Sequence, residues 1–334
     1  MRFGAFGDML LLLPMLNWLA ARAQAQVDVV SSGGWTRPLL GLVPAVGAEQ
    51  LLSSRKAPYV FNRSQQELVG WLRSQRGRPL LICETDDKSR WLARRAGWAE
   101  SDMLWAGDDA ERPDEPWVER WLRLAHAAYG APFDRGQVPG LIRELGWIDP
   151  GAAAHADCAQ WLAAQGWADD PLILLQPGNK RTMGRRAEAR ASNPKFWPDA
   201  HWAELCRQLL ARQPQARVLI CGSPAEQDYC ARLAALSGQP RVHAVADALP
   251  IPRLLALLAR AAGMLSVDTG PAHAAAAMNC PLVVLFSNKD PALWQPYAVD
   301  APVHSLRAPG GRMDALGVDA VLAAWAQLPA GPAA

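Results

Sequence analysis

The run from Gly263 to Ala277 leaves the backbone few choices. Gly263-Met264-Leu265-Ser266-Val267 is almost wholly apolar and short, and turn-forming residues follow it. Such a run reads as a strand buried on both faces, the kind that builds parallel sheets. It stops at Asp268-Thr269-Gly270-Pro271, and the small residues Ala272-His273-Ala274-Ala275-Ala276-Ala277 predict a tightly packed helix. Thr269 suits the N-cap, and Pro271 suits the first turn, where its missing N–H would have had no partner anyway. A buried strand that opens onto a helix N-terminus is the elementary unit of an open α/β sheet. The unpaired N–H groups and dipole of that helix end favour an anion, phosphate above all. The same residues would also serve as an ordinary strand-to-helix turn, so the rest of the chain has to decide.

The rest of the chain repeats the unit. Short strands are expected over residues 2–6, 26–30, 49–53, 59–61, 79–83 and 102–105. Helices are expected over 9–23, 39–43, 64–75 and 88–96, and a strongly patterned one over 116–129. Ser64 stands as an N-cap with Glu67 in the capping-box position. Residues 130–170 are punctuated by Pro132, Gly136, Pro139, Gly140, Pro150 and Gly151, so a linker and a domain break fall there. The alternation then restarts, with strands over 171–175, 217–221, 242–245, 263–267 and 280–286. Helices are expected over 199–213, 225–236, 251–261 and 317–327. Two doubly wound, Rossmann-like domains follow, residues 1–155 and 156–334, with a cleft between them.

Composition narrows the function classes. With 334 residues, half of them hydrophobic, the chain can fill two cores. A net charge of +2 argues against a dedicated nucleic-acid binder. No stretch is long and apolar enough to span a bilayer. Arg2 and the apolar run 9–13 superficially resemble a secretory leader, but Asp8 opens that run and Pro14 and Asn17 interrupt it. None of the six cysteines forms a C-x-x-C pair, so neither a metal site nor a disulfide framework is expected, and a reducing cytosol fits better. Of the fifteen tryptophans, Trp71, Trp91, Trp117 and Trp121 fall in helical patterns and read as packing residues. Neither G-x-G-x-x-G nor G-x-x-x-x-G-K-[ST] follows any strand, which disfavours dinucleotide dehydrogenases and P-loop NTPases.

Three pieces, in order and spacing, resemble glycosyltransferase family 9, the lipopolysaccharide heptosyltransferases. Phe6-Gly7-Asp8-Met9-Leu10 with Pro14 is similar to the family's N-terminal Gly-Asp turn. Lys195-Phe196-Trp197-Pro198-Asp199-Ala200-His201-Trp202 is similar to its Lys-x-Trp-Pro-x-x-x-Trp helix start. Asp268-Thr269-Gly270-Pro271-Ala272-His273 is similar to its Asp-Thr-Gly-x-x-His signature. The resemblance implies the GT-B fold, two Rossmann-like domains facing each other, with donor in the second and acceptor against the first. It implies an inverting, metal-independent transfer without a cofactor, from ADP-heptose to the inner core carried on lipid A.

The resemblance also implies roles. Asp8 matches the general base that would take the acceptor proton; as a residue just before a helix it would equally serve as a cap. Lys195 matches the lysine beside the donor phosphates. Asp268, Thr269 and Gly270 match the donor-phosphate turn, His273 stands one helical turn further, and Glu226 approximately matches a carboxylate on the nucleotide ribose. Gln176 and Gly178 end a strand at the same sheet edge and are expected to line the donor site. Family members carry a longer apolar strand before the Gly-Asp turn than the residues 1–6 found here. A basic segment with Lys180, Arg181, Arg185 and Arg186 precedes Lys195; it reads equally as a solvated loop and as a segment that recruits a phosphorylated acceptor or contacts the inner-membrane surface. The protein is accordingly expected in the cytoplasm, peripheral to that membrane. The rival readings are a GT-B transferase or epimerase using another nucleotide sugar, and a non-catalytic nucleotide-sugar binder.

Overall fold

The computed structural model describes residues 1–55, 57–110, 112–179 and 193–329, and its chain divides into two compact units, Met1–Ile148 and Asp149–Ala334. The division falls before residue 155, and helix α8 (Gly151–Ala164) belongs to the second unit, where it packs against the helix over Ile251–Arg260.

In the first unit the opening residues do not form the expected strand. Arg2 donates its N–H to the Val30 carbonyl, and the Cys83 N–H donates to the Met1 carbonyl. These bonds seat the opening residues between two parallel pairs, β1 (Val27–Ser31) with β2 (Val46–Leu51) and β3 (Leu80–Ile82) with β4 (Met103–Trp105). The chain then turns into helix α1 (Phe6–Leu10). The expected helix over 9–23 is split, because Pro14 has no N–H to give the Leu10 carbonyl; α2 (Leu13–Ala23) restarts with that proline in its first turn.

Three further expectations are corrected here. Tyr59–Phe61 is a single 3₁₀ turn closed by the Phe61 N–H on the Pro58 carbonyl, and among the described residues no strand pairs with it. Helix α3 (Thr36–Leu40) starts and ends before the helix expected over 39–43, while α4 (Arg63–Ser74) follows the pattern but is capped by Asn62, whose side chain accepts from the Gln65 N–H. The Ser64 hydroxyl instead accepts from the Ser53 N–H. After α5 (Asp87–Arg95) and α6 (Trp117–Ala128), the punctuated region holds two helices, α7 (Val138–Leu145) and α8. Its prolines and glycines mark their ends: Pro139 lies in the first turn of α7, Gly146 ends it at φ 70°, and Pro150 caps α8.

The second unit is a six-stranded, all-parallel sheet in the order β10-β9-β8-β5-β6-β7. The strands are β5 (Leu172–Gln176), β6 (Arg217–Ile220), β7 (Val242–Ala244), β8 (Gly263–Val267), β9 (Leu282–Phe286) and β10 (Val303–Arg307), the last unforeseen. β5, β8 and β9 are buried along their whole lengths, which explains their unbroken apolar sequences. Helices α9 (Asp199–Arg212), α10 (Gln227–Ser237), α11 (Ile251–Arg260), α12 (Gly270–Ala277), α13 (Pro291–Trp294) and α14 (Val318–Trp325) complete the unit. The order runs outward in one direction from β5 through β6 and β7, and in the other from β8 through β9 and β10. It therefore reverses between β5 and β8, and in an open α/β sheet ligands bind at the carboxyl edge beside that reversal.

Candidate functional site

The β5–β8 register pairs Gln176 with Ser266 and carries both strands to the same edge. There Gln176, nearly sealed from solvent, donates its side-chain amide to the Gly178 carbonyl and folds the loop back on the strand end. Across the reversal, the Asp268 N–H still bonds to the Leu285 carbonyl of β9, and the chain turns at Thr269 into α12. Thr269 is the N-cap residue in extended conformation, but its side chain makes no capping hydrogen bond. The hydroxyl and the first N–H groups of α12 thus stand at the reversal, where an anion would meet them. His273 lies one turn into this helix and is buried.

Lys195 reaches this edge because Trp197 is nailed into the core. The Trp197 indole is fully buried, donates to the Leu316 carbonyl at 2.8 Å, and meets Trp202 edge-on at 4.8 Å. Truncating such a ring costs about 3–5 kcal/mol, so the two-residue step back to Lys195 is held rigidly. Asn193 adds a turn, its side chain accepting the Lys195 N–H at 3.2 Å. The Lys195 ammonium group then lies 2.6 Å from Asp268 Oδ2 and donates to the Asp268 carbonyl at 2.5 Å.

A second lysine, missed in the sequence, shares that carboxylate. Lys289 Nζ lies 3.7 Å from Asp268 Oδ2 and 3.4 Å from the centroid of the Trp294 ring. Asp268 is 4 % exposed, so a nearly buried carboxylate carries two ammonium groups. The signal available beforehand was positional: Lys289 stands just past β9, at the edge where Asp268 stands just past β8.

Glu226 belongs to the same edge, beyond β6, but its carboxylate is engaged locally. Buried at 3 % exposure, it accepts both the N–H and the hydroxyl of Ser223 at 2.9 Å, capping the turn before α10. Lys180, Arg181, Arg185 and Arg186 lie outside the described residues. Among the described residues, no cluster of His, Cys, Asp or Glu has the makings of a metal site.

Asp8 belongs to the first unit. It sits inside the first turn of α1, where one carboxylate oxygen accepts the Ala5 N–H at 2.7 Å and the other lies 3.2 Å from an Arg2 guanidinium nitrogen. Arg2 is itself fixed by the Cys83 carbonyl at 2.8 Å, the Glu84 carboxylate at 3.5 Å and the Trp121 ring at 5.2 Å. Gly4 is required beside it, since a Cβ there would come within 2.3 Å of the Asp8 Cβ. The carboxylate is thus a helix cap and one half of an ion pair, and still about a quarter exposed.

A family model for glycosyltransferase family 9 (heptosyltransferase) matches residues 90–311. Lipopolysaccharide heptosyltransferase 2 of Escherichia coli K12 is 27 % identical over 319 residues, covering 89 % of this chain and 84 % of that protein. The solved structure of E. coli ADP-heptose lps heptosyltransferase II superposes with a TM-score of 0.71 at 21 % identity, over 97 % of this chain and 96 % of that one. E. coli heptosyltransferase WaaC with ADP gives 0.70 at 21 % identity, over 96 % of each chain.

Proposed function

The chain belongs to glycosyltransferase family 9, a heptosyltransferase with the GT-B fold, and on that premise we propose that it moves heptose from ADP-heptose to a hydroxyl of a lipopolysaccharide inner-core acceptor, with inversion and without a metal ion or cofactor. The observation that carries the reading is the Lys195–Asp268 lock at the open N-terminus of α12, at the reversal of the second sheet. A departing nucleoside diphosphate gains negative charge as the sugar–phosphate bond breaks. A fixed ammonium group and a helix end lower the free energy of that charge without reorganising. The Thr269 hydroxyl, the Gly270 backbone and His273 supply polar contacts to phosphate or sugar. Gln176 and Gly178 shape the adjoining wall, and Glu226 stands toward the nucleotide.

In this reaction the acceptor oxygen attacks the anomeric carbon as the bond to the diphosphate oxygen breaks on the opposite face. The hydroxyl proton passes to the Asp8 carboxylate, which acts as the general base and contributes about 10²–10⁴ to the rate. Its bonds to Ala5 and Arg2 orient it for that task.

The acceptor is lipid-borne, and peripheral contact with the cytoplasmic face of the inner membrane completes the proposal. Val60 and Phe61 are 66 % and 85 % exposed at the tip of the 3₁₀ turn. Beneath them Tyr59 and Trp91 meet edge-on at 5.5 Å, with Arg95 over both rings and Lys88 over Trp91. Apolar tips backed by aromatic rings and cations fit an anionic lipid surface, whereas a second copy of the same patch would bring like charges together.

A calorimetric screen of ADP, UDP and GDP and their sugars tests the assignment. Preference for ADP-heptose is the expected result; preference for a uridine or guanosine nucleotide would overturn the donor.

A further inference from the structure

We propose that Glu84 is a positioning residue of the transfer reaction: it holds the Arg2 guanidinium, and with it the turn that carries Asp8, so that the base stays aimed while it takes the proton. This rests on the reading of Asp8 as the general base and adds a residue that acts on it through Arg2.

The placement follows from the first unit. Glu84 stands two residues past β3, and the opening residues run beside that strand, where the Cys83 N–H donates to the Met1 carbonyl. One Glu84 oxygen accepts the Phe3 N–H at 2.6 Å and lies 3.5 Å from Arg2 Nη1. The same Arg2 nitrogen donates to the Cys83 carbonyl, while Nη2 donates to Asp8 Oδ1 at 3.2 Å. The other Glu84 oxygen accepts from Arg55 at 3.3 Å, and the Arg55 guanidinium lies 5.0 Å from the centroid of the Phe3 ring. Asp8, Arg2, Glu84 and Arg55 thus alternate in sign, with Asp8 at one end. The side chains of Glu84 and Arg2 are 12 % and 17 % exposed, so water screens these contacts less than it screens a surface pair.

Two tasks meet in Glu84. The first is mechanical. Its bond to the Phe3 N–H fixes the chain just before the Gly4-Ala5 step, and the Ala5 N–H is itself a partner of Asp8. The second is electrostatic. When the acceptor proton reaches Asp8, that carboxylate loses its charge and its hold on Arg2 weakens. A guanidinium held by Asp8 alone would be released at that moment. Glu84 and the Cys83 carbonyl keep it in place, so the Asp8 carboxylate forms again against a partner that has not moved. A base held by a partner that is itself locked needs no reorganisation at each turnover.

The test uses the full chain with ADP-heptose and heptose-deficient lipopolysaccharide. Glu84→Gln removes the charge but keeps an oxygen for the Phe3 N–H, and thermal melting checks that the fold is intact. Its kcat should fall about tenfold, the scale of one charge-assisted contact, with the KM for ADP-heptose and the affinity for ADP unchanged. Arg2→Met should lose at least as much, and Arg2→Lys less. Because Glu84 acts through Arg2, adding Glu84→Gln to Arg2→Met should cost nothing further. A parental kcat in Glu84→Gln, a loss carried by the donor KM instead of kcat, or additive losses in the double variant would overturn the proposal. Equal rates in Asp8→Asn and the parent chain would instead break the reading of Asp8 as the base.

Discussion

Lys195 Nζ stands 2.6 Å from Asp268 Oδ2, and the same ammonium group donates to the Asp268 backbone carbonyl. The cation is thereby tied to the residue just before Thr269, the N-cap of α12. An acid at a phosphate site looks unfavourable in isolation. Here its task is to aim the lysine and to hold the strand-to-helix turn.

Breaking that pair should show in stability and in binding. Lys195→Met leaves the nearly buried Asp268 without its 2.6 Å partner, and is expected to cost about 3 kcal/mol in urea unfolding. Asp268→Asn should cost less, and the double variant less than the sum of the two, since one interaction is removed twice. Each single variant should also weaken ADP in calorimetry, Lys195→Met by tenfold or more on the scale of one charged contact. Additive losses in the double variant would mean the pair is not coupled.

Asp8→Asn keeps the shape and removes the base. Transfer should fall about 10²–10⁴-fold while ADP affinity stays unchanged, because the loss is confined to the acceptor side of the reaction. Gly4→Ala should lower turnover too, by pushing Asp8 aside, although position 4 itself carries no chemistry. A weakened ADP affinity in Asp8→Asn would count against the division of labour between base and donor site.

The Val60–Phe61 tip gives a separate readout. Vesicles of zwitterionic lipid with about one-third anionic lipid should sediment the protein at low salt, and much less at high salt. Val60→Asp with Phe61→Asp should reduce sedimentation strongly while leaving ADP binding and melting temperature nearly unchanged, since both side chains are exposed. Undiminished sedimentation would place any lipid contact elsewhere.

The cysteines should be inert in the native protein. All six are buried, and burial pushes the thiols of Cys206, Cys221 and Cys280 up to about 12. At pH 8 their thiolate fraction is negligible, and a thiol reagent should label them only as fast as the chain unfolds. Rapid labelling without denaturant would show that the core opens locally.

Much of the second unit is legible from residue order alone. Its three central strands are buried on both faces, so their sequences are unbroken apolar runs, and the positions of β5, β8 and β9 emerge within a residue or two. The first unit is harder to read because its elements are short and half-exposed. Tyr59-Val60-Phe61 is aromatic and β-branched like a strand, yet the Pro58 carbonyl closes a turn there instead. The opening residues carry the backbone bonds of a strand for only two positions before α1 begins. Helices α7 and α8 hide behind glycines and prolines that act as their boundaries. Glu226, expected to contact the ribose, also closes a capping box with Ser223, a local bond satisfied within three residues.

The sequence by itself determined the alternation of strand and helix, the strand-to-helix turn at Asp268-Thr269-Gly270, and the family motifs at Asp8, Lys195 and His273. These are local properties, set by periodicity, turn chemistry and short spacing. Only the tertiary structure decided that Lys195, Asp268 and Lys289 meet. They stand after three different segments, and it is the parallel order of β5, β8 and β9, with Trp197 and Trp294 as anchors, that brings two ammonium groups to one carboxylate. Charge pairing acts over a few ångströms, and no spacing along the chain encodes which distant residues will come that close.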